Sequence, residues 1–141
     1  MIASKKFLTV GTLLSLLIAH SSASSLKSLD ETLSAGGFSG TLDEHVQIKS
    51  FGCLHSELIN SICVYYYTRE FGNKRLTQRL IITSDQNGYE GMYNVPDEPI
   101  TFEHGIIKFP YDADDGALID LSTGEIPERI FLDGESFVLF K

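Results

Sequence analysis

The chain has no tryptophan, four prolines, two methionines and two cysteines in 141 residues. Two cysteines cannot build the multi-bridge framework of a disulfide-dense miniprotein or an all-cysteine zinc site. Bases are also scarce: eleven Lys and Arg stand against nineteen Asp and Glu, a formal net charge of −8. Such a balance repels phosphate backbones, so nucleic acid is excluded as a natural partner. No GxxxxGK or HExxH motif occurs, and the four histidines show no metal-ligand spacing. Histidines 45, 55 and 104 read as surface or turn residues rather than ligands or bases.

One apolar run stands out, from Phe7 to Ala19, behind Lys5 and Lys6 and followed by Ser21, Ser22 and Ala23. A positive start, an apolar stretch and small residues form a secretory signal peptide over 1–23. A membrane anchor needs about 20 unbroken apolar residues, whereas Thr9, Gly11, Thr12 and Ser15 interrupt this one. No cysteine follows it for lipidation, so the expectation is a periplasmic or secreted protein with no stable membrane insertion. Cleavage leaves one domain over 24–141 with a formal charge of −10. In an oxidising compartment Cys53 and Cys63 are expected to pair as a structural staple.

From Ser24 to Gly37, Leu26, Leu29 and Leu33 fall at helical spacing, with Ser28 and Glu31 placed as a capping box and Gly36 and Gly37 as the stop. The period then changes. "HVQIKSF" alternates, and "CVYYYTREF" concentrates β-branched and aromatic residues as strands do. Two-residue turns are predicted at Gly72-Asn73, His104-Gly105 and Asp133-Gly134, with further turns at Asn87-Gly88 and in "LSTGE". Short connections require antiparallel pairing. The fold class is therefore mainly β: a small antiparallel barrel or two-layer sandwich of about eight to ten short strands with one short N-terminal helix. An outer-membrane barrel is excluded because the runs are short and carry Glu90, Glu103, Asp120 and Glu128.

"YDADDGALID" is the stretch most like a metal site. An EF-hand loop places ligands at positions 1, 3 and 5, glycine at 6 and glutamate at 12. Counting from Asp112 puts Gly116 at 5, Ala117 at 6 and Thr123 at 12, so the pattern fails and a solvated turn is expected. "GGFSG" around Ser39 misses the GxSxG nucleophile elbow by one residue. No metal, cofactor or catalytic residue is therefore assigned.

Charge carries the functional direction. Residues 24–96 are net −2 and 97–141 net −8, while Arg69, Lys74, Arg75 and Arg79 gather on one predicted hairpin. An acidic face steers basic partners, and tyrosines anchor interfaces. Tyr65 and Tyr67, on one face of a strand, and Asp112, Asp114 and Asp115 in the turn are the expected partner-binding residues. The expectation is a non-enzymatic inhibitor or immunity-type protein masking a basic protein such as a cell-wall hydrolase or toxin. The alternative is a β-barrel carrier of a small molecule or ion.

Overall fold

A computed structural model describes residues 29–58 and 60–141. The expected signal peptide and the Ser28 cap lie outside these residues. Among the described residues nine strands form three antiparallel sheets. The first sheet is a meander of β1 (Val46–Leu54), β2 (Ile62–Glu70), β3 (Leu76–Ser84) and β4 (Gly88–Asn94), in sequence order. The second joins β5 (Thr101–Glu103), β6 (Ile106–Lys108) and β7 (Leu118–Asp120), and the third pairs β8 (Arg129–Leu132) with β9 (Glu135–Val138). The described residues before them open on a helix, α1, over 29–35.

The two small sheets pack on one face of the meander. Ile62, Val64, Tyr66, Leu80 and Ile82 of the meander bury against Ile107, Phe109, Ile119, Leu121, Ile130 and Leu132. The opposite face is covered by α1 and the segment after it. Leu33 is fully buried with Tyr67, Ile81, Tyr89 and Met92, and Phe38 sets its ring edge-on to Tyr67 and Tyr89. Burying Leu33 contributes about 2 kcal/mol to holding α1 on the sheet. The described residues thus stack in layers and do not form a closed barrel.

Double coverage of the meander changes the reading of the tyrosine triplet. Tyr66 packs on one core and Tyr67 on the other, while Tyr65 is partly buried beside Tyr67. A strand with one wet face could not bury both Tyr66 and Tyr67, but β2 is a central strand with neither face wet.

Turn chemistry explains the hairpins. His104 (φ 53°) with Gly105 (φ 80°), and Asp133 (φ 50°) with Gly134 (φ 75°), form the expected two-residue turns. Positive φ at both central residues matches the right-handed twist of the flanking strands. The expected turn at Gly72-Asn73 is present, but the connection is one residue longer than two. The β2–β3 connection closes through Phe71 N donating to Arg75 O and Lys74 N to Phe71 O, and the left-handed residue is Lys74 at φ 62°. Gly72 and Asn73 are thus the central pair of the turn, and the left-handed residue follows them at Lys74, as in a three-residue hairpin loop.

Cys53 and Cys63 face each other across β1 and β2 and are joined by a disulfide. The bond ties the free-edged strand β1 to the sheet's centre. One residue further along β1 than Ser50, Phe51 is unpaired in a bulge that also twists this edge.

Candidate functional site

The acidic stretch is built around a 3₁₀ turn, Ala113–Asp115. Asp112 caps it: its carboxylate accepts from Asp114 N at 3.2 Å, while Asp115 N donates to Asp112 O. The carbonyls at the end of the turn are taken by a different part of the chain. Asp115 O accepts from Gly134 N at 2.7 Å and Gly116 O from Asp133 N at 3.0 Å, so the tip of the β8–β9 hairpin sits on the turn. Upstream, Tyr111 stacks parallel on Phe109 with centroids 6.2 Å apart and donates its hydroxyl to Asp97 Oδ2 at 2.6 Å. Burial raises the Tyr111 pKa, and the Asp97 hydrogen bond and the charges of Asp97 and Asp133 raise it further.

Asp112, Asp114 and Asp115 are all exposed. Among the described residues no three Asp, Glu, His or Cys groups converge to hold a metal ion. Asp120 turns away to its own loop, accepting from Ser122 N at 2.9 Å and from Ser122 Oγ, contacts that lower its pKa.

Beside the turn lies an apolar surface. On β8 and β9 the register sets Arg129 opposite Val138 and Phe131 opposite Ser136, on the outward face. Phe131 is 54% exposed and Val138 49%. Phe131 adjoins the acidic turn directly, since a Cβ on Gly116 would lie 3.0 Å from Phe131 Cδ1 and 2.5 Å from its carbonyl oxygen. Leu118, two residues beyond Gly116, is 52% exposed. Large exposed apolar groups beside charge mark interaction surfaces more than catalytic ones.

The sequence's charge asymmetry becomes an asymmetry in space. All eleven acids of residues 97–141 are exposed, and among the described residues only Glu98 of these makes an ion pair, with Lys49 at 2.7 Å. Most of them sit on the layer of small sheets and its loops. The basic hairpin lies at the end of the meander, where Arg69 pairs with Asp43 at 2.8 Å and covers the Phe71 ring at 4.5 Å. That hydrogen-bonded pairing holds the Asp43 carboxyl below its ordinary pKa. Lys74 and Arg75 remain exposed at the tip.

The expected contact residues do not assemble into one site. Tyr65 lines a groove of about 340 Å³ with Leu29, Thr32, Cys63 and Ser84, on the helix-covered side of the meander. The aspartates sit on the opposite layer. Tyr67 is corrected outright as a contact residue: it is 1% exposed, and its hydroxyl donates to Thr41 O at 2.6 Å. Coverage of that face by α1 and Phe38 leaves no Tyr67 surface for a partner. Phe131, Val138 and Leu118 were missed. Their signal was present, because alternation in "ERIFL" that buries Ile130 and Leu132 must turn Phe131 outward.

Ser39 Oγ donates to Lys141 O at 2.6 Å and has no histidine partner. His45 lies 3.7 Å from Glu44, His55 Nδ1 is 3.2 Å from Ser61 Oγ, and His104 is part of its turn. A second groove, of about 680 Å³, is lined by Gln47, Lys49, Tyr66, Thr68, Leu76 and Glu98 and holds no nucleophile–base pair. Compared with protein-family models, curated proteins and solved structures, the chain matches none.

Proposed function

We propose that the protein is an exported, non-enzymatic binding protein that captures a basic protein partner on its acidic layer, with Phe131 as the apolar anchor and Asp112, Asp114 and Asp115 as the steering charges. The observation that carries this reading is the juxtaposition of an exposed aromatic ring with an acidic turn whose carboxylates make no ion pair among the described residues. Carboxylates not neutralised by an ion pair accelerate encounter with an opposite charge, and a large ring supplies burial once contact is made. An inhibitor of a basic hydrolase or an immunity protein against a basic toxin has this chemistry. The carrier reading rested on a barrel mouth, and the described residues form stacked sheets instead.

Affinity capture from the exported fraction at low salt tests the proposal with three baits: wild type, the triple Asp112→Asn, Asp114→Asn, Asp115→Asn variant, and Phe131→Ala. A single basic protein retained by wild type, released by salt and lost from both variants is expected. No retained protein, or equal retention by all three baits, refutes the reading.

A further inference from the structure

The connection between β1 and β2 holds a second feature, separate from the acidic layer. Leu58, at its tip, is 95% exposed, whereas the other exposed large apolar side chains among the described residues lie between 39% and 54%. The chain bends at Glu57 and Leu58, which sets the leucine on a convex tip. The loop beneath it is braced on both limbs. Cys53 and Cys63 bridge its base, where Leu54 still pairs with Ile62. His55 Nδ1 lies 3.2 Å from Ser61 Oγ across the loop, and Leu58 N donates to Ser56 Oγ at 3.2 Å. On the returning limb Asp85 N donates to Ser61 O at 3.1 Å and Gln86 N to Asn60 Oδ1 at 3.0 Å, so the β3–β4 turn supports the loop.

A single leucine on a surface is ordinary, and an unbraced loop loses much freedom when a partner immobilises it. This loop has given up part of that freedom already, so a partner that takes up Leu58 has less ordering to oppose it. An apolar knob on a convex tip has a concave apolar pocket as its complement. Endopeptidases that cut after large apolar residues have such a pocket, which receives the side chain before the scissile bond. Pre-organised partners of this kind make protease–inhibitor pairs some of the tightest complexes of standard size. A lipid surface is the other apolar taker, but residues 50–68 contain no Lys or Arg to meet headgroups, and Glu57 adjoins the leucine.

We infer that the loop over residues 55–61 is a binding loop that inserts Leu58 into the apolar primary pocket of an endopeptidase. Chymotrypsin, whose primary pocket is a hydrophobic slot, is the probe, and trypsin, whose pocket is acidic, is the control. The oxidised protein should inhibit chymotrypsin competitively and leave trypsin active. Leu58→Ala should weaken inhibition by about tenfold or more, and Leu58→Lys should transfer it from chymotrypsin to trypsin. Both substitutions fall on a side chain that packs against almost nothing, so the circular dichroism of the variants should match wild type.

Four results overturn the inference: no inhibition of chymotrypsin, inhibition unchanged in Leu58→Ala, no transfer to trypsin in Leu58→Lys, or cleavage after Leu58 as fast as in the reduced, unfolded chain. Sedimentation with phosphatidylcholine vesicles that is lost in Leu58→Ala assigns the tip to a membrane and overturns it as well. Because the loop shares no residue with the acidic layer, this test and the capture experiment fail independently.

Discussion

Replacing Gly116 with alanine probes the knot that places Phe131 beside the acidic turn. Gly116 has φ 89° and ψ 106°, a conformation that costs a residue with a Cβ about 1–2 kcal/mol or more. The new methyl would also lie 2.5 Å from the carbonyl oxygen of Phe131, a backbone atom that cannot swing aside. Relief requires the β8–β9 hairpin to move off the turn, which breaks Asp133 N to Gly116 O and Gly134 N to Asp115 O. Two backbone hydrogen bonds are worth about 2 kcal/mol together. The sum is about 3–4 kcal/mol, a large share of the roughly 5–15 kcal/mol that stabilises a domain. For a chain of this size that corresponds to a fall in Tm of about 12–16 °C.

Gly134→Ala is the matched control. Gly134 also has positive φ, at 75°, but a Cβ there meets nothing within 4 Å. It should show the strain alone, about 1 kcal/mol. Urea unfolding followed by circular dichroism measures both variants, and the difference of about 2–3 kcal/mol is the contribution of the docked hairpin. Equal losses in the two variants, or a Gly116→Ala loss below about 1 kcal/mol, would refute the docking argument.

Lys74→Gly should stabilise the protein by about 0.5–1 kcal/mol because the left-handed position at φ 62° then carries no Cβ, and an unchanged or lower urea midpoint counts against the turn assignment. Replacing both Cys53 and Cys63 with serine should cost about 3 kcal/mol through the lost cross-link, measured by the same unfolding curves, with a loss under about 1 kcal/mol contradicting the staple role. Burial pushes the Tyr89 pKa up to about 12. The neutral phenol is thus favoured in the folded state, and stability present below about pH 10 should fall as pH rises toward 12, with tyrosinate absorbance appearing together with unfolding. Tyrosinate forming fully in a folded protein near pH 10 would contradict that burial.

How much of this was legible depended on how local the determinants are. The turns at His104-Gly105 and Asp133-Gly134 were readable because asparagine-like and glycine residues are the ones that tolerate positive φ in tandem. The β2–β3 turn was placed at Gly72-Asn73 for the same local reason, but its third residue was not legible, because the hydrogen bonds of Phe71 rather than residue type put Lys74 in the left-handed region. Layers against barrel was not readable, since closure depends on which edges of β1 and β4 find partners far along the chain. The burial of Tyr67 depends on α1 and Phe38, and the ring that covers Arg79 on β3 comes from Phe140, 61 residues away. Hydrophobic alternation within β2 or β3 contains no information about either. Charge asymmetry was legible, but its placement on one layer beside Phe131 required the docking of two hairpin tips that share no local pattern.

The rate of association with the captured partner, followed by stopped flow against ionic strength, tests the central claim most directly. The Debye length shrinks from about 30 Å to about 8 Å between 0.01 M and 0.15 M salt, so a charge-steered encounter should slow at least tenfold over that range while dissociation changes little. The triple Asp112→Asn, Asp114→Asn, Asp115→Asn variant should start slower and show a flatter salt dependence, and Phe131→Ala should instead speed dissociation. An association rate that ignores salt, with the triple variant indistinguishable from wild type, would contradict the acidic layer as the docking surface.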